Sequence, residues 1–106
     1  MMINENVIRE IIGEILSVAK PERVILFGSS ATGSMTSDSD VDLLVIEKNV
    51  DNPREEMVKI SKALGEIGIP VDVIVMRSER FEETRNIIGG IAYPANKYGK
   101  VIYEAA

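Results

Sequence analysis

Three short apolar blocks, Val24 to Phe27, Val41 to Ile46 and Val71 to Met76, constrain what this chain can fold into, because each is strand-sized and bounded by turn-forming or helix-forming segments. Before the first block, Ile8, Ile11, Ile12, Ile15, Leu16 and Ala19 recur at three- and four-residue steps, which predicts an amphipathic helix from Glu5 to Ala19. Lys20-Pro21-Glu22 ends that helix. Between the second and third blocks, Asn52 precedes Pro53 and Glu55 follows three residues on, which predicts an N-cap, a proline at the first helical position and a capping-box partner. Met57, Ile60, Leu64 and Ile67 supply the buried stripe of this second helix, and Gly68 suits the left-handed residue after it. Beyond the third block, Ser78 is placed to cap a further helix, Gly89-Gly90 and Pro94 break the pattern into short pieces, and Val101 to Tyr103 reads as a final strand or an extended tail.

Alternating helix and strand blocks predict an α/β layer in which helices cover one face of a small sheet and leave the other available. The 106 residues carry no repeat, low-complexity tract or linker, so residues 1–106 are expected to form a single domain. The apolar runs fall far short of the roughly 20 residues that a membrane span needs, and the first residues lack a basic stretch followed by an apolar one. The expectation is a protein with no membrane association, resident in the cytoplasm.

With no cysteine and no histidine, thiolate chemistry, disulfides and imidazole catalysis are excluded. A general base or metal ligand must come mainly from carboxylates, and oxygen ligands favour hard cations such as magnesium. A net charge of -5 opposes direct binding to a nucleic-acid backbone, whose affinity comes largely from Lys and Arg.

The carboxylates are not scattered. Asp40 and Asp42 lie two residues apart at the start of the second block, so in a strand both side chains leave one face with Cα atoms roughly 7 Å apart. Val41, Leu43 and Val45 then face the other way, with the same parity as Val71, Val73 and Val75, which puts Asp72 on the face of Asp40 and Asp42. Asp72 is also anomalous within an apolar run, since aspartate is depleted in strands. If the two strands are neighbours, three like charges crowd one patch and raise one another's pKa unless a cation neutralises them. Two magnesium ions about 3.5 to 4 Å apart, bridged by Asp40 and Asp42 and completed by Asp72, would resolve the conflict and suit phosphoryl or nucleotidyl transfer. Gly28 follows a buried strand directly and allows close backbone approach to a ligand, while Ser29 and Ser30 offer hydroxyl and N–H donors for phosphates.

Gly28-Ser29, ten intervening residues and Asp40-Val41-Asp42, within FGSSATGSMTSDSDVDLLV, together with the later VDVIV around Asp72, resemble the signature of the polymerase-β nucleotidyltransferase superfamily. The length and the ending YGKVIYE are similar to its minimal nucleotidyltransferases, although Ser30 and Thr32 stand near positions where many such members carry arginine. The resemblance implies the polymerase-β-like fold on a small mixed sheet. It implies ATP as substrate, bound by Gly28, Ser29 and Ser30, with two magnesium ions held by the catalytic carboxylates Asp40, Asp42 and Asp72. It further implies an antitoxin paired with a HEPN-domain protein, to one of whose tyrosines AMP is transferred. Two alternatives stay open: inhibition of a partner by occlusion alone, and nucleotidyl transfer to a small molecule. Homo-oligomerisation stays open as well.

Overall fold

The protein is described by a computed structural model covering residues 5–28 and 41–105. Helix α1 spans Glu5–Val18 and leads into strand β1, Arg23–Phe27. Strand β2, Val41–Glu47, is followed by helix α2, Pro53–Leu64, which tightens into a 3₁₀ turn at Gly65–Ile67. Strand β3, Val71–Arg77, passes directly into the short helix α3, Ser78–Thr84. A second short helix, α4, spans Ala92–Tyr98, and strand β4, Lys100–Glu104, closes the described chain.

The four strands form one sheet in the order β3-β2-β1-β4. β1 is antiparallel to both β2 and β4, whereas β2 and β3 are parallel. The sheet is therefore mixed, as expected. Its parallel step requires a crossover, and α2 provides it. Asn52 caps α2 by accepting from Arg54 N at 3.1 Å and Glu55 N at 3.3 Å, with Pro53 in the first helical turn. Gly68 closes the 3₁₀ turn with φ of 85°, which a side chain would oppose.

Sheet parity sorts the core into two layers. Val41, Leu43 and Val45 of β2 and Val73 and Val75 of β3 pack against Ile11 and Ile15 of α1 and Ile60 and Leu64 of α2. This is the helix-covered face that the sequence pattern predicts. Leu16 departs from the expected stripe: it is 44% exposed, because Ile11 and Ile15 already direct the helix at the sheet. The opposite face is not left wholly open. Ile25, Leu44 and Ile46 are buried there by Phe81 of α3 and by Ala92 and Ala95 of α4. Short helices with a single aromatic or two alanines carry little periodic signal, so their cover was not legible in the sequence.

Two local expectations resolve differently. Ser78 is the first residue of α3 rather than its cap, and its hydroxyl donates to Glu22 Oε1 at 3.1 Å. Pro94 does not break α4, because it lies in the first turn, where a backbone N–H has no partner to lose. β4 settles the choice for the chain end in favour of a strand paired with β1.

Candidate active site

β2 and β3 run parallel in a register that sets Asp42 directly beside Asp72. Neighbouring strands lie about 4.8 Å apart, so both carboxylates rise from one patch of one sheet face. Leu44 and Ile46 follow Asp42 on that face, and Ile74 and Met76 follow Asp72, which places α3 and α4 over the apolar end. The carboxylate end stays accessible: Asp72 is exposed and Asp42 half-buried. Polar groups at the open end of a face whose other end is packed need no buried partner.

Gly28 completes the patch from β1. Phe27 is the cross-strand partner of Asp42, so the chain leaves β1 immediately beside that carboxylate. Gly28 adopts φ of 70°, and a Cβ built on it would stand 2.5 Å from Asp42 Oδ2. Two independent constraints thus demand glycine: the left-handed backbone and the carboxylate occupying the side-chain position. From sequence, Gly28 is expected to allow close backbone approach to a ligand. The structure adds that the backbone first comes close to Asp42.

Of the residues singled out from the sequence, Gly28, Asp42 and Asp72 are brought together. Ser29, Ser30 and Asp40 lie outside the described residues. Among the described residues no group of three metal-ligating side chains occurs, so the carboxylate pair is the donor set that can be placed. Two aspartates with accessible oxygens suit a hard divalent cation and offer nothing to a thiophilic one.

A larger concavity, a cleft of about 730 Å³, lies at the other end of the sheet, where Glu22, Arg23, Glu47 and Lys48 contribute to its lining. It is remote from the carboxylate pair, so volume alone is a poor guide to the chemistry here. Glu47, at the end of β2, is 5% exposed. Burial, followed by the neighbouring carboxylate of Glu56, pushes its carboxyl up to about 7. Glu56, salt-bridged to Lys59 at 2.6 Å, is itself shifted downward: burial opposes this, but hydrogen bonding with Glu47 and the charge of Lys59 prevail. Sequence reasoning missed this pair. A glutamate continuing the inward parity of Val41, Leu43 and Val45 was the available signal.

The four-stranded mixed sheet with its crossover helix and open carboxylate end defines an α/β fold of the nucleotidyltransferase kind. Residues 7–92 match the model of the nucleotidyltransferase domain family, and the chain belongs to that family. A curated Methanocaldococcus jannaschii protein, provisionally named a protein adenylyltransferase, is 34% identical over 71 residues, covering 65% of this chain and 71% of that protein. A crystal structure from Sulfolobus solfataricus, provisionally described as a nucleotidyltransferase, superposes with a TM-score of 0.64 at 24% identity over 93% of this chain and 78% of that one. A toxin-antitoxin crystallised with AMP-PNP gives a TM-score of 0.61 at 20% identity, covering 92% of this chain and 73% of the other. A mutant of the MntA-HpeT toxin-antitoxin matches with the same score and identity over 97% and 75%. These structural likenesses establish the fold. Among the described residues no helix is long and apolar enough to cross a membrane.

Proposed function

We propose that this chain transfers AMP from ATP to a hydroxyl of a protein acceptor, a tyrosine of a HEPN-type toxin partner, and so acts as that partner's antitoxin in the cytoplasm. The observation that carries the transfer is the pairing of Asp42 with Asp72 on one accessible sheet end, with Gly28 held against Asp42. A protein acceptor is supported by the adenylyltransferase name of the M. jannaschii relative and a toxin partner by the toxin-antitoxin likeness; the HEPN type and the tyrosine rest on the family resemblance of the sequence motifs.

In this reading the acceptor oxygen forms a bond to the α-phosphorus, the bond from that phosphorus to the pyrophosphate oxygen breaks, and the hydroxyl proton passes to Asp72. The products are the adenylylated acceptor and pyrophosphate. Asp72 suits proton acceptance because it is the more exposed of the pair and sits on the edge strand, where an acceptor can approach. Asp42, half-buried between β1 and β3, is the better fixed ligand. Asp40, two residues before it in the sequence, is the further carboxylate that the sequence pattern would add to the set. Gly28 leaves β1 beside Asp42, and Ser29 and Ser30, next in the sequence, would offer N–H and hydroxyl donors to the phosphates. Two magnesium ions held by Asp40, Asp42 and Asp72 would neutralise charge on the attacking and leaving oxygens when bound.

The test is incubation of the chain with α-labelled ATP, magnesium and the protein encoded beside it. Label on a tyrosine of that protein is expected, and none should appear with Asp42→Asn. Undiminished neutralisation of the partner by Asp42→Asn would replace transfer with occlusion.

A further inference from the structure

Among the described residues nothing pairs with the outer edge of β3, where the sheet order ends. Val41 N donates to Pro70 O at 2.9 Å. Backbone groups alternate in direction along a strand, so with the register of β2 and β3 the N–H and C=O groups of Val71, Val73 and Val75 point away from β2. An edge of this kind is a ready template for another extended segment.

Beside this edge runs an open groove of about 440 Å³, lined by Met57, Val58 and Ser61 of α2 and by Val71, Asp72 and Val73 of β3. Val58 is 49% exposed, although valine has no helical or solvent preference that would place it there. Asp72 is common to this groove and to the carboxylate pair. The groove is therefore continuous with the candidate active site.

We propose that the protein acceptor docks here as an added strand on β3, its backbone pairing with Val71, Val73 and Val75 and its apolar side chains entering the groove under α2. Strand periodicity then dictates the acceptor's local sequence. A residue opposite Asp72 shares the face of Asp72, so its hydroxyl meets that carboxylate. The residues immediately before and after it point to the other face, into the groove. The substrate class is an extended segment in which the acceptor tyrosine is flanked on both sides by apolar residues. Lys62, which also lines the groove, disfavours basic flanks. This inference rests on the reading of Asp72 as the acceptor-side carboxylate.

The test uses the full chain and two synthetic octapeptides, one with a central Val-Tyr-Val and one with Lys-Tyr-Lys, with amide hydrogen exchange and transfer of label from ATP measured side by side. At about ten times its Kd the valine peptide should slow exchange of the Val71, Val73 and Val75 amides about tenfold, and the lysine peptide should not. Val58→Asp, at an exposed position, should remove the protection without unfolding the chain. Protection without label supports the docking edge and counts against transfer. Label without protection, or both peptides labelled alike, upholds transfer and overturns the docking edge; absence of both label and protection overturns the docking edge.

Discussion

Asp42 and Asp72 are cross-strand partners in the parallel pair of β2 and β3, although 29 residues and a complete helix separate them in the chain. The proposed transfer depends on both carboxylates. Asp42→Asn and Asp72→Asn should each reduce labelling of the acceptor by about 10² to 10⁴-fold, the range expected for losing a positioned proton acceptor or a charge-stabilising group. Circular dichroism and urea midpoints should remain close to those of the parent, because Asp72 is exposed and Asp42 lies at the accessible end. A variant that keeps full transfer would remove that residue from the chemistry.

Gly28→Ala tests the contact between the β1 terminus and the site. The new methyl group would occupy space 2.5 Å from Asp42 Oδ2 on a backbone at φ of 70°. The left-handed conformation costs about 1–2 kcal/mol, visible as a lower urea midpoint. Transfer should fall much further than stability does, since relief of the clash displaces the carboxylate. Equal activity per folded molecule would show that Asp42 adjusts freely.

Gly99→Ala should do the reverse. A Cβ there would run into the Ala95 carbonyl oxygen and stand 2.6 Å from Ile25 Cγ2, at the turn that lays α4 on the sheet. Overpacking of this kind costs about 1–3 kcal/mol, and the loss should appear in thermal unfolding while the remaining folded protein keeps its transfer rate.

The Glu47 and Glu56 pair predicts a pH dependence of stability. Glu47 is raised from 4.5 to about 7 in the folded chain, so its contribution is fully present below 4.5 and is lost as pH rises through 7. Glu56 is lowered, and its contribution is present above 4.5 and lost as pH falls. A shift of that size at Glu47 amounts to on the order of 3 kcal/mol. Urea unfolding of the parent should weaken between pH 5 and about pH 8, whereas Glu47→Gln, which keeps a hydrogen-bond donor toward Glu56 without titrating, should flatten that decline. A parent chain with constant stability across the window would mean that Glu47 is already ionised when folded.

Much of this protein was legible in one dimension. The two long helices, the three apolar strands, the Asn52 cap and the shared parity of Asp42 and Asp72 all follow from periods of 3.6 and 2, which act within a few residues. The fourth strand was legible only as an alternative, because Val101 to Tyr103 is too short to choose between pairing and lying extended on the core.

What the tertiary structure alone decided is which of those faces meet. Parity puts Asp42 and Asp72 on one side of a sheet, but pairing of β2 with β3 in that particular register makes them neighbours, and register depends on the packing of α2 between the strands. Gly28 read as room for a ligand; only the pairing of Phe27 with Asp42 reveals that the room lies against a carboxylate. Phe81, Ala92 and Ala95 cover the second face because α3 and α4 fold back from β3, and burial, with Glu56 of α2 beside it, pushes the Glu47 carboxyl up to about 7. Local periodicity determines where a side chain points, whereas burial, contact and charge coupling depend on what arrives from elsewhere in the chain.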